Sequence, residues 1–196
     1  MPASLRLVAP SQAAEWSEAD IKALSTENPR AAMEMVIHKY RERLFYHAGS
    51  IVKDWHEAYD VVQEVFIRAM RETRFFLPEF RMKAWLFRVT TNLCFNMVRD
   101  RKRRGAILEG MHKVDRTHAD QLDQVFQGER REEVLAAIET MTPDHRAILL
   151  LRYYDDLSYA EIADVLEIKL GTVMSRLSRA RSRLLGAMGE DTHLLD

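Results

Sequence analysis

A single cysteine, Cys94, stands in 196 residues, which excludes an internal disulfide and any cysteine-based metal cage. No apolar run reaches the length of a membrane span, and the N-terminus has no apolar stretch of signal-peptide length. A cytoplasmic chain with no membrane insertion of its own is expected. Asn-Gly and Asp-Gly, the hairpin dipeptides, do not occur, and apolar residues recur at three and four rather than two. The chain should therefore be almost wholly helical. There is no phosphate-binding glycine loop and no Gly-x-Ser-x-Gly elbow. "HEAYD" at 56–60 begins like a zinc-protease helix, but Asp60 stands where the second histidine ligand is required. The seven histidines show no ligand spacing, so neither catalysis nor a metal or cofactor is expected.

What is present is charge of segregated sign. The net charge of −1 conceals 18 Lys+Arg against 13 Asp+Glu over residues 1–104, and 11 against 17 over 105–196. Eight basic residues and one acid lie between Arg81 and Arg104; five basic residues and no acid lie between Ile168 and Gly189. Two separate basic patches suit two contacts with a polyanion, although either alone is compatible with a solvated surface. An apolar content of 47% is that of a globular chain with one or two small cores.

Local signals divide the chain into helices. The pattern predicts helices over 18–27 and 29–48, with Pro29 in a first helical turn, and a third from Trp55 to Arg74. The apolar stripe of the third is Ala58, Val61, Val62, Val65, Phe66, Ala69 and Met70. A fourth helix from Lys83 to Arg103 follows, with Leu86, Val89, Leu93 and Met97 as its core stripe. Residues 105–128 have weak periodicity and few large apolar side chains, and read as a flexible linker. Helix resumes at Glu129–Met141, and Thr142 with Pro143 should cap a helix over His145–Tyr154. Ser158 and Glu161 form a capping box for Tyr159–Leu166, and "EIK" then turns the chain into "GTVMSRLSRARSRLL".

Two short helices joined by a tight turn, the second basic and rich in small residues, form a helix-turn-helix. Val173, Leu177, Ala180 and Leu184 make one stripe that can pack on Ile162 and Ala163. Thr172, Ser175, Arg176, Arg179 and Arg183 fall elsewhere, where small residues admit a major groove and arginine grips phosphate or guanine. On the fourth helix Trp85, Arg88, Asn92 and Arg99 share another face, whose aromatic, cationic and amide groups suit an unstacked strand; Trp85 also fits a core tryptophan.

The stretch "MTPDHRAILLLRYYDDLSYAEIADVLEIKLGTVMSRLSRARSRLL" resembles the promoter-reading domain of bacterial sigma factors of the extracytoplasmic-function (ECF) subgroup. "YDVVQEVFIRAM" resembles the family's polymerase-binding helix, and "KAWLFRVTTNLCFNMVRDRKRR" its element-reading helix. The resemblance implies an all-α fold of two small helical domains joined by a flexible linker, the C-terminal one the helix-turn-helix. It places an N-terminal extension at 1–24, region 2 at 25–104, the linker at 105–128, region 4 at 129–188 and a tail at 189–196. It implies that Phe75, Phe76, Phe80, Arg81, Lys83, Trp85, Arg88, Asn92 and Arg99 read and melt the downstream (minus-ten) element, with the base-capturing loop at 75–81. Thr172, Met174, Ser175, Arg176, Ser178, Arg179 and Arg183 would read the upstream (minus-thirty-five) element. Asp60, Gln63, Glu64 and Phe66 would bind core RNA polymerase, although by pattern alone the acidic face is a solvated one. The implied partners are core RNA polymerase, through its beta-prime and beta subunits, promoter DNA and an anti-sigma factor. A duplex-binding regulator built on the same helix-turn-helix is the rival reading; it needs neither the second basic patch nor a strand-reading face.

Overall fold

The first three helices each begin where a side chain satisfies free backbone donors of the first turn. The computed structural model describes residues 16–105, 137–138 and 140–187. Ser17 and Asp20 close a capping box on α1, Glu18–Glu27. Asn28 accepts from the Ala31 N–H ahead of α2, Pro29–Val52, with Pro29 in the first turn as expected. Asp54 accepts from the His56 and Glu57 N–H groups to start α3, Trp55–Arg71. After a turn-rich loop comes α4, Met82–Gly105. The second half comprises α5, Pro143–Leu149, continued by a π-helical turn at Leu150–Tyr154, then α6, Tyr159–Leu166, and α7, Leu170–Ala187. No strand occurs among the described residues, and no helix there is long and apolar enough to cross a membrane.

Several boundaries differ from expectation for identifiable reasons. α3 stops at Arg71 because Glu72 leaves the helix extended, and its carboxylate then accepts the Arg74 N–H at 3.1 Å. α2 runs past residue 48 to Val52 and ends on Lys53 in the left-handed region, φ 58°. Thr142 occupies the cap position of α5, but its hydroxyl meets His145 Nδ1 at 3.1 Å and makes no backbone cap. The expected boundary at residue 24 cuts α1, whose Ile21 is fully buried, so this helix belongs to the first bundle. Of the linker only Gly105 is described, as the end of α4; the rest of the linker, most of Glu129–Met141 and the tail lie outside the described residues.

In the first bundle α1, α3 and α4 pack around α2; in the second α5 and α6 support α7. The buried face of α4 is Met82, Leu86, Phe87, Thr90, Thr91 and Cys94, turned away from the expected Leu86–Val89–Leu93–Met97 stripe, of which all but Leu86 are only half-buried. Thr90 and Thr91 can enter the core because their hydroxyls donate to the Leu86 and Phe87 carbonyls at 2.8 and 2.7 Å.

The two bundles also pack on each other, α2 against α5 and α4 against α6, within one continuous apolar core. Polar contacts stitch this seam. Arg146 is buried and donates to the Ile138 carbonyl at 3.1 Å, the Met141 carbonyl at 2.7 Å and, across the seam, the Ser50 carbonyl. Arg43 donates to the Tyr154 carbonyl at 3.0 Å. His47 and Asp155, both fully buried, face each other at 3.3 Å, while His47 Nε2 lies 2.9 Å from the Thr91 hydroxyl. Burial raises the Asp155 carboxyl above the usual carboxylate range, opposed by His47, Arg43 and Lys83.

Candidate nucleic-acid interface

The helix-turn-helix is built by caps. Ser158 accepts the Glu161 N–H at 3.2 Å while the Glu161 carboxylate takes the Ser158 N–H at 2.8 Å, which fixes the start of α6. Glu167, left-handed at φ 53°, ends it, and the Ile168 N–H returns to the Ala163 carbonyl at 3.0 Å. The "EIK" turn then delivers α7. Val173, Leu177 and Ala180 are buried on Ile162 and Val165 as part of the core, but the stripe ends on Leu185, with Leu184 only half-buried. α7 packs against α5 as well as α6, and two neighbours bury a wider arc than one.

The outer face of α7 presents Met174, Ser175, Ser178, Arg179 and Arg183 exposed, with Thr172 and Arg176 half-buried at its margins. Arg179 folds along its own helix, donating to the Ser175 carbonyl at 3.1 Å. A face of small residues flanked by guanidinium groups has the dimensions and charge for a DNA groove. Sequence reasoning missed His145, which lies beside these arginines. Partial burial, then Arg183, and more weakly Arg179 and Arg176, hold its imidazole below the ordinary range, against the opposing Asp144.

The second basic patch comprises the end of the loop before α4 and that helix along its length. Phe75 is 1% exposed and serves as the loop's anchor rather than as a reader: its ring meets Phe76 at 5.3 Å, Phe80 at 5.5 Å and Trp85 at 5.6 Å. Burial keeps that ring off the surface of the free chain. Phe76, Phe80 and Trp85 remain half-buried, so Trp85 both packs on the core and shows part of its ring. Arg88 is half-buried and Asn92 and Arg99 are exposed, with Arg99 donating to the Asn96 side chain at 2.8 Å.

This surface faces the second bundle across an open cleft of about 670 Å³, lined by Arg74, Phe80, Arg81, Trp85 and Arg88 on one side and Asp164, Glu167 and Lys169 on the other. Arg81 is ion-paired with Asp164 and lies 3.8 Å from Glu161, both on α6. Lys83 donates to the Asp156 carbonyl at 3.0 Å, and its pKa is lowered by burial and by Arg43. Two of the expected strand-reading cations thus spend their charge inside the molecule.

On α3, Asp60 and Gln63 are exposed and Glu64 is half-buried, paired with Arg68 at 2.7 Å. Phe66 belongs to the core at 6% exposure and offers no ring to a partner, because it lies on the buried stripe. Met70, expected in that stripe, is 60% exposed, and with Tyr59 at 57% and Ile67 it adds apolar surface beside the acids. The spacing Tyr59–Gln63–Ile67–Met70 is itself helical and could have been read as a second face. Among the described residues no group of three or more His, Cys, Asp or Glu could hold a metal ion.

Two family models match the two bundles: Sigma-70 region 2 over residues 36–104 and Sigma-70, region 4 over residues 131–184. The ECF RNA polymerase sigma factor SigE of Mycolicibacterium smegmatis is 35% identical over 76% of this chain, which spans 58% of that protein's length. The ECF RNA polymerase sigma-E factor of Escherichia coli K12 is 32% identical over 64% of this chain and 70% of its own. In fold, the chain is similar to a sigma factor, RpoE of Bartonella quintana, solved in complex with the anti-sigma factor NepR: TM-score 0.62, 23% identity, 81% of this chain and 97% of that one. With both regions in order and the relatives agreeing, the chain belongs to the ECF subgroup of RNA polymerase sigma factors.

Proposed function

We propose that this chain binds core RNA polymerase and directs it to promoters of two elements. α7 reads the upstream duplex through Ser175, Arg176, Ser178, Arg179 and Arg183, with Thr172 and Met174 completing the face. The loop at 75–81 and α4 capture the opened downstream strand through Phe76, Phe80, Arg81, Lys83, Trp85, Arg88, Asn92 and Arg99. The Asp60–Gln63–Glu64 face of α3, with Tyr59, Ile67 and Met70, docks on the polymerase. The chain supplies recognition and strand separation in the cytoplasm; the polymerase makes the phosphodiester bonds, so the chain is not itself an enzyme. An anti-sigma factor is the expected restraint, in keeping with the neighbour solved with one.

The observation that carries this reading is the pair of basic surfaces on separate bundles, one groove-sized and one combining half-exposed aromatics with cations and an amide. A duplex-only regulator has no use for the second. The test is reconstitution of the full chain with core polymerase on a linear promoter duplex. Start-site-specific transcripts that appear only with the chain are expected; duplex binding with no initiation from added core enzyme would overturn the reading.

A further inference from the structure

Two side chains of α1 reach out of their own helix and hold the strand reader from behind. Glu18 and Lys22 sit four residues apart on one face. The Glu18 carboxylate accepts the Lys83 N–H at 2.8 Å and the Tyr40 hydroxyl at 3.3 Å. The Lys22 ammonium donates to the Pro78 carbonyl at 2.8 Å and the Phe80 carbonyl at 2.6 Å. Both bonds answer a local deficit. The residues ahead of α4, Phe80 and Arg81, are not capping types, so the first-turn donors of α4 depend on an acceptor from elsewhere, and Glu18 supplies one. The loop turns through short-range bonds, Phe75 N–H to the Glu72 carbonyl at 3.0 Å, Leu77 to Arg74 at 2.9 Å and Phe80 to Leu77 at 3.0 Å. Phe75 anchors its entrance by burial. At its exit, one ammonium gathers two carbonyls that no helix or sheet satisfies.

We propose that Glu18 and Lys22 are positioning residues for promoter reading: they set the exit of the loop and the first turn of α4, and with them the placement of Phe80, Arg81 and Trp85. The inference rests on the reading of loop 75–81 as the strand-capturing element. α1 then belongs to the recognition machinery although neither side chain need touch DNA. An acid and a base reaching from one helix to separate backbone groups fix a loop more sharply than side-chain packing alone, because each bond has a charged partner and a defined direction.

The experiment uses the full chain with core polymerase on a promoter library randomised in both elements, read by sequencing of transcripts. Wild type, Lys22→Ala, Lys22→Arg, Glu18→Ala and Glu18→Gln are compared, together with competition for core enzyme. In both alanine variants, base preference within the downstream element should flatten by roughly three- to tenfold, the scale of one ordinary net hydrogen bond. Upstream preferences and core affinity should be unchanged, and Lys22→Arg and Glu18→Gln, which keep a donor and an acceptor, should retain most of the preference. Lys22→Met, which keeps the aliphatic stem, replaces Lys22→Ala if the latter is unstable. Unaltered downstream preferences in Lys22→Ala or Lys22→Met would overturn the proposal, as would equal loss at every position. A drop of about one in the salt slope of downstream-strand binding would instead identify Lys22 as a direct phosphate contact and also overturn it. If wild type fails to program the core enzyme, the sigma-factor reading itself fails and takes the positioning role with it.

Discussion

Met174 is 56% exposed on the outer face of α7, between Val173 and Ser175. A thioether cannot give the paired hydrogen bonds by which arginine reads guanine, but it can lie against a thymine methyl. Met174→Arg should therefore tighten binding to the upstream element and shift one position toward guanine, by about 1 to 3 kcal/mol if the contact is bidentate. Transcript selection from a randomised upstream element checks this, and identical preferences at every position would place residue 174 away from the bases. His145 is the second residue whose behaviour follows from its neighbours. Burial and the arginines around it depress its pKa in the free chain, so a phosphate that neutralises Arg183, Arg179 and Arg176 must raise it. A ligand that raises a pKa binds the protonated form more tightly. Upstream-duplex affinity should thus rise as pH falls from the higher pKa of the bound state toward the depressed one of the free chain, and the extra rise should vanish in His145→Gln. An NMR titration of the imidazole with and without duplex reads the shift directly; equal pKa values in both states would rule the linkage out.

At the scale of helices, close approach decides more than propensity. Gly49 lies inside α2, and a Cβ there would fall 2.1 Å from the Trp55 ring at the start of α3, a ring already fixed 5.2 Å from Phe45 and 6.3 Å from Tyr46. Gly49→Ala should cost about 1 to 3 kcal/mol despite its better helix propensity, because the ring has little room to yield. Thermal melting measures this, and a rise in Tm would contradict it. On the opposite side of α3, Asp60→Lys with Glu64→Lys should leave stability within about 0.5 kcal/mol apart from the Arg68 pair, since Asp60 is exposed and Glu64 is half-exposed outside the core. Core-polymerase affinity should fall about tenfold or more if the acids face a basic partner surface; unchanged competition for core enzyme would remove that face from the interface. The helices and the turn into α7 were legible in the sequence because Pro29, Ser158 with Glu161 and the "EIK" turn act within a few residues. The faces were less so. Thr90 and Thr91 read as polar, yet their bonds to the preceding turn let them enter the core and turn the buried face of α4, while Phe66 stays in the stripe and Met70, expected there, faces outward at its edge. Periodicity gives the width of an apolar arc, and the neighbouring helices decide which of its margins is covered, as at Met70.

The seam between the bundles left almost no mark on the sequence, because its contacts join residues far apart in the chain. Asp155, in "DDLS", reads as polar punctuation and is fully buried against His47 of α2; Arg146 reads as one more helix cation and ties α5 to the end of α2. In this arrangement Arg81 is paired with Asp164, so a promoter phosphate competes with that carboxylate for Arg81 while the bundles remain joined. Opening should accompany polymerase binding. Labels at Glu34→Cys and Ser182→Cys, both exposed, report the inter-bundle distance, and Cys94 stays unlabelled because burial raises its thiol pKa to about 12. A single short distance is expected in the free chain and a longer one in the polymerase complex. Asp164→Lys replaces an attraction by a repulsion at a half-exposed site, where such pairs contribute up to about 1 kcal/mol, so it should enlarge the open population by up to about fivefold rather than abolish closure. Adding Arg81→Glu restores the pair with signs exchanged and should restore the short distance, even though it removes the proposed DNA contact and so should lower transcription. Recovery of the distance without recovery of transcription separates the two tasks of Arg81. If Asp164→Lys and the double variant give the same distance distribution as wild type, the ion pair has no part in holding the bundles, and closure rests on the buried seam alone.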